Sequence, residues 1–224
     1  RRERRATPGN RPARGEQPQS RVDGAPNLKE DAKLRLFVAL ELPESWHRVL
    51  ARMRGDLYRV ADDELKLVRP ELMHLTLVFL GYQPRDALGP IQAALEAAAS
   101  TLRPFPMTLG NPGFFGSPGA IRVIWVGLNE VPPDLQRLHE GLVAGLAATG
   151  IPFDQRPLVP HITLARGRFP MDRSVSLRTH WALQRMRTPP GLSTVVEEFV
   201  LMQSHLSPAG PDYQVVTRFP LGTD

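Results

Sequence analysis

The sequence predicts an α+β fold of two duplicated lobes around a central cleft. Three observations lead there. His74-Leu75-Thr76-Leu77 recurs as His161-Ile162-Thr163-Leu164 in the second half of the chain. Strand-like and helix-like segments alternate in similar order around each copy. Each copy also follows a helical stretch and a proline-containing lead-in, at Pro70 and at Pro157 and Pro160. The interval between the copies is too long for a solenoid repeat. The expected architecture is therefore bilobal: two mainly antiparallel sheets line the cleft, with helices outside.

Residues 1–32 are rich in Arg, Pro, Gly and Gln and nearly free of large apolar side chains. Such a segment buries too little surface to offset its ordering entropy, so it is expected to be a disordered basic tail. Residues 33–224 then form the two-lobed domain. Leu34 to Leu40 reads as a strand that stops before Pro43. Trp46, Val49, Leu50, Met53 and Leu57 have helical spacing over 44–60. The first motif strand runs over about 72–81 and ends at Gly81. Residues 85–102 are Ala/Leu-rich and helical, with Gly89 and Pro90 near the start. A short strand covers 105–110, and the turn residues of 111–119 predict a loop. Ile121 to Val126 is a strand. Pro133 opens a helix to about Thr149, closed by Gly150. The second motif strand is 161–166, a short helix covers 172–184, and strands fill 194–205 and 213–220 around a turn at 207–210.

The chain has 224 residues, 42% of them hydrophobic, and no cysteine. Disulfides and thiolate metal sites are thereby excluded. No apolar run is long enough to span a membrane or to form a signal-peptide core. The expectation is a soluble, cytoplasmic, monomeric protein with no membrane partner. The net charge of +5 suggests nucleic acid, but its distribution weakens that reading. Residues 1–33 hold nine Lys/Arg against five acids and so account for most of it. A polyanion partner must be argued from local residues rather than from the overall charge.

The motif itself carries the chemistry. In a strand, residues i and i+2 share a face, so His74 sits with Thr76 and His161 with Thr163. If the two strands meet, two imidazoles and two hydroxyls enter one cleft. Phosphodiester cleavage needs a base for the attacking oxygen and an acid for the leaving oxygen, and histidine suits both near neutral pH. The threonine hydroxyls can donate to the non-bridging oxygens. Arg166 is a candidate phosphate clamp through its planar fork. It lies five residues after His161, so a regular strand points it away, and the strand must end or bulge first. Taken singly, a histidine in an apolar strand is a packing residue; the doubling with a same-face threonine favours function. A metal site is the rival, and it is disfavoured because threonine is a poor ligand and neither motif holds an acid. No cofactor is expected. His47 and His139 fall in helices as surface or packing residues. The stripe Leu135, Leu138, Leu142, Leu146 is core.

Beyond the motifs, longer stretches resemble the 2H phosphoesterase superfamily, and within it the bacterial and archaeal RNA 2',3'-cyclic phosphodiesterases, once called 2'-5' RNA ligases. They are Arg35-Leu36-Phe37-Val38-Ala39-Leu40-Glu41-Leu42-Pro43, the run from Arg69 to Gly81, Arg122-Val123-Ile124-Trp125-Val126-Gly127, Pro160 to Arg166, and Ser204 to Tyr213. The resemblance covers about 34–221. It implies a pseudo-two-fold axis and a metal-independent opening of a 2',3'-cyclic phosphate to a 2'-phosphomonoester. Its substrates would be RNA 3' ends or small cyclic nucleotides. Carried over, His74 protonates the leaving O3', and His161 activates water. Thr76, Thr163 and Arg166 hold the phosphate oxygens. The acid and base can be exchanged, since their contexts are alike. Phe37 is a candidate for base stacking, with core packing as its alternative, and Arg122 for backbone contact. The basic tail departs from the family pattern. So does Lys66-Leu67-Val68, where an aromatic is frequent. Two further readings remain: 2'-5' ligation as the reverse reaction, and a binding module without turnover.

Overall fold

The computed structural model describes residues 33–168, 171–208 and 210–222; the expected tail, 1–32, lies outside them. In chain order the elements are β1 (Lys33–Leu40), α1 (Glu44–Ala61), β2 (Leu65–Leu67), β3 (Leu75–Pro84), α2 (Leu88–Ala99), β4 (Phe105–Ser117), β5 (Ala120–Leu128), α3 (Pro133–Ala148), β6 (His161–Gly167), α4 (Arg173–Leu183), β7 (Ser193–Val196), β8 (Glu198–Ser207) and β9 (Gly210–Pro220). The fold is α+β, and every strand pairing is antiparallel.

The helices form where the apolar spacing placed them. Trp46, Leu50, Met53 and Leu57 are the buried face of α1. The α3 stripe of Leu135, Leu138, Leu142 and Leu146 is buried completely, and His139 lies buried beside it as a packing residue. Each such leucine contributes roughly 1.5–3 kcal/mol by leaving water. Pro90 is accepted in the first turn of α2, where its missing N–H has no intrahelical partner.

Two separate sheets were expected, and the strands instead form one path. Its order is β7-β4-β5-β6-β3-β1-β8-β9, with β2 added to β6. The two motif strands are its centre. They touch through one register pair, Leu75 with Ile162, and then diverge. Beyond that point β2 takes the edge of β6, pairing Lys66 with Arg166. The divergence of β3 from β6 opens the cleft. The halves are also not sequential in the chain: α2 packs on α3, and α1 on α4, so each helix pair draws on both motif-bearing halves.

Two strand expectations change for identifiable reasons. The stretch 194–205 splits at Glu197, whose carbonyl accepts from the Leu221 N–H. On one side β7 pairs with β4, and on the other β8 pairs with β1. One residue joins strands at remote places in the path, so the sheet must curl to bring them together. The predicted loop at 111–119 is mostly strand: β4 runs on to Ser117 against β5. Only residues 118–119 form the turn, and Gly113 is a close-approach position rather than a turn residue. A Cβ on Gly113 would lie 2.4 Å from the Trp125 ring, which covers it from the facing strand. No described helix is long and apolar enough to cross a membrane.

Candidate active site

A cleft of about 660 Å³ lies where β3 and β6 part, and His74, Thr76, His161, Thr163 and Arg166 all line it. The two histidines are tethered alike. The His74 Nδ1–H donates to the Leu72 carbonyl at 2.8 Å, and the His161 Nδ1–H to the Val159 carbonyl at 2.7 Å. A carbonyl only accepts, so each Nδ1 keeps its proton and each Nε2 is left as the exchanging nitrogen.

Arg166 reaches the cleft by a bulge. Ile124 pairs with Ala165 but Trp125 pairs with Thr163, so Leu164 is an extra residue in β6. Leu164 and Ala165 are consecutive yet both enter the same core cluster, whereas successive residues of a regular pleat face opposite sides. The inserted residue reverses the parity, and Arg166 falls on the face of His161 and Thr163. The same device occurs in β3. Val38 pairs with Val78 and Ala39 with Thr76, leaving Leu77 extra, with Leu77 and Val78 both buried. There the residue turned into the cleft is Phe79, 43% exposed.

Each imidazole is packed by two aromatics. His74 lies 4.9 Å from Phe37 and 5.2 Å edge-on from Tyr213. His161 lies 5.1 Å edge-on from Phe115 and 6.3 Å from Trp125. Burial lowers the His74 pKa below 6.5; its bond to Leu72 opposes this, and the charges of His161 and Arg166 lower it further. Those last two influences place the second motif within electrostatic reach of the first.

The lining also contains Arg35, Lys66, Arg69 and Arg156, and among the described residues no acid. The cleft is therefore strongly basic although the net charge lies largely in the tail. No group of three or more His, Asp or Glu among the described residues stands where it could hold a metal ion.

Two predicted residues are placed otherwise. Phe37 reaches the cleft wall but is only 3% exposed, in a small cluster with Ala39, Val200 and Met202. It supports His74 and has no free face for a base. Arg122 is exposed and is absent from the lining; its neighbour Val123 takes the cleft position opposite Arg166. Successive strand residues face opposite ways, which excludes both from one face. Sequence reasoning gave no role to Phe79, Phe115, Tyr213, Arg35 and Arg156. Phe115 sat in the stretch read as a loop. Phe79 was hidden by the same parity problem as Arg166 and was legible from the parallel between the motifs.

A family model described as the 2'-5' RNA ligase superfamily matches residues 42–207. An RNA 2',3'-cyclic phosphodiesterase of Thermus thermophilus is 36% identical over 197 residues, covering 84% of this chain and 90% of that protein. Among crystal structures, TT0787 of Thermus thermophilus matches with a TM-score of 0.71 at 34% identity, covering 85% of this chain and 100% of the other. Escherichia coli LigT in complex with 3'-AMP matches with a TM-score of 0.64 at 25% identity, over 86% of this chain and 99% of that one.

Proposed function

The chain belongs to the 2'-5' RNA ligase superfamily, among relatives named RNA 2',3'-cyclic phosphodiesterases, and on that premise we propose that it hydrolyses the 2',3'-cyclic phosphate of an RNA 3' end without a metal ion. One observation carries the mechanism: two histidines, tethered identically through Nδ1, line one cleft with a threonine beside each.

The cyclic phosphate lies between the rings. The Thr76 and Thr163 hydroxyls and the Arg166 guanidinium hold its non-bridging oxygens and stabilise the charge that builds there. His161 Nε2 takes a proton from water as the water oxygen bonds to phosphorus. The P–O3' bond breaks in line, His74 Nε2 gives its proton to O3', and the phosphate stays on O2'. Ring opening by a 5'-hydroxyl in place of water would use the same groups, break the same P–O3' bond and leave a 2'-5' linkage. A pure binding role would not require two proton-transfer groups. The bound 3'-AMP of LigT supports a nucleotide with phosphate on its ribose edge as ligand. We also read the two four-strand halves that meet at β3 and β6 as copies of one unit, as their matched bulges suggest.

One observation favours the opposite division of labour. Burial holds His74 toward its neutral form, which suits a base. An anionic substrate offsets the His161 and Arg166 charges and loads His74 with a proton, which suits the donor role. Both readings are separated by the pH profile, which reports the free enzyme in kcat/KM and the complex in kcat. With His74 as donor, His74→Ala removes the basic limb from the residual rate; with His74 as base, it removes the acidic limb.

The test of the reaction is phosphorus NMR of the product from a 2',3'-cyclic nucleotide in EDTA. A 2'-phosphate is expected. A 3'-phosphate, or turnover only with added metal, overturns the mechanism.

A further inference from the structure

A second cavity of about 300 Å³ adjoins the reactive cleft and shares four of its lining residues, Arg35, Phe37, Phe79 and Arg156. Leu36, Gly81 and Asp154 complete it. Phe79 stands on the boundary between the two spaces, and among the aromatics lining the cleft it is the most exposed.

The walls of this cavity are held in place. The Asp154 N–H donates to the Phe79 carbonyl at 2.9 Å. Gln83, buried on the same strand, donates through Nε2 to the Pro152 carbonyl at 2.7 Å. The lead-in to His161 is thereby stitched along β3, and Arg156 is brought beside Phe79. Arg156 Nε contacts both Asp154 carboxylate oxygens at 2.9 and 2.8 Å, and Nη2 bonds one of them. Its Nη1 has no hydrogen-bond partner among the described residues. Arg35 Nη1 donates to Ser204 Oγ at 2.8 Å, which fixes the second guanidinium. Two oriented cations and one exposed aromatic face thus line a space continuous with the reactive site. An oriented guanidinium loses less freedom when it captures an anion.

We propose that this cavity is a subsite for the penultimate nucleotide, the one joined to the nucleoside that carries the cyclic phosphate. Its base stacks on Phe79, and the phosphodiester on the terminal nucleoside's O5' is held by Arg35 and Arg156. The chemistry matches a single strand: a π-face accepts any base, and the cations follow the backbone. The matched bulges supply the direction. In β6 the residue turned inward is Arg166, which suits the reacting phosphate. In β3 it is Phe79, which suits a base. An RNA end would then enter along β3 and react against β6. The proposal rests on the catalytic reading above.

The test compares kcat/KM for a 2',3'-cyclic mononucleotide with that for a dinucleotide ending in the same cyclic phosphate, using the full chain. Stacking on one aromatic face corresponds to about 5- to 150-fold. The dinucleotide is therefore expected to be favoured by roughly tenfold or more. In Phe79→Ala and in Arg156→Ala the dinucleotide-to-mononucleotide ratio falls toward one. The ratio is internally controlled, because mononucleotide turnover reports a folded catalytic cleft. Added salt should erode the arginine share of the ratio and spare the Phe79 share. A ratio near one in the unaltered protein, or one that neither substitution changes, overturns the subsite while leaving the reaction intact. No turnover of either substrate overturns both.

Discussion

Strands β3 and β6 carry one local pattern in two surroundings. Both present a histidine tethered to the carbonyl two residues back, a same-face threonine, and a bulge one residue later. They differ in depth and in the residue the bulge turns inward. His74 is closed in by Phe37 and Tyr213, and burial lowers its pKa. The bond that tethers His161 to Val159 is exposed, whereas the one from His74 to Leu72 is partly buried. Arg166 enters the cleft from β6 and Phe79 from β3. A doubled motif thus supplies equal parts, and the tertiary surroundings place them in unequal environments.

The largest effect expected is loss of either ring. His74→Ala and His161→Ala should each lower kcat by about 10²-fold or more, the scale of a missing acid or base. Steady-state turnover of a cyclic mononucleotide reads this directly. If one substitution leaves kcat nearly intact, the two copies are not a catalytic pair, and the likeness of β3 and β6 is structural only.

Arg166→Ala tests the difference between the bulges. Losing charge-assisted hydrogen bonds of roughly 1.5–3 kcal/mol corresponds to a drop of about 10- to 150-fold in kcat/KM. Arg166→Lys should recover only part of it, because an ammonium lacks the planar fork. A normal rate in Arg166→Ala would mean that the β6 bulge serves packing alone.

The smallest effect concerns stability. The His74 and His139 pKa values are both lowered from 6.5, chiefly by burial. The unfolded chain therefore binds these protons more readily than the folded one. Their contribution is complete above about pH 6.5 and is lost as pH falls through the lowered folded values. Urea unfolding at pH 7.5 and pH 5 should show a modest decrease, reduced in His74→Gln. An unchanged midpoint would mean that burial does not hold His74 toward its neutral form.

Much of this was legible in the chain. Side-chain spacing located α1 and α3 and put each His with its Thr on one face, because periods of 3.6 and 2 are local properties. Arg166 shows the limit. Counting residues pointed it outward, and only a bulge defined by pairing to β5 turns it in. Phe115 shows a second limit. Pro112, Gly113 and Gly116 read as turn residues, yet Gly113 is glycine because Trp125 lies across it from another strand. The break at Glu197 is a third, since the side-chain pattern of one strand-like stretch does not say that two different strands will claim its ends.

The sequence by itself determined the motif pair, the helices, the family and the kind of chemistry. These follow from residue type and short-range order, which every chain of this sequence carries. Tertiary structure alone decided that the motif strands join at one residue pair and then diverge, that the strands of both motif-bearing halves share one sheet, and that Phe37 supports a histidine while Phe79 faces the open cleft. Those outcomes depend on which strand edges pair across long stretches of chain. Pairing sets what packs around each ring, and those surroundings differ between two chemically equal histidines.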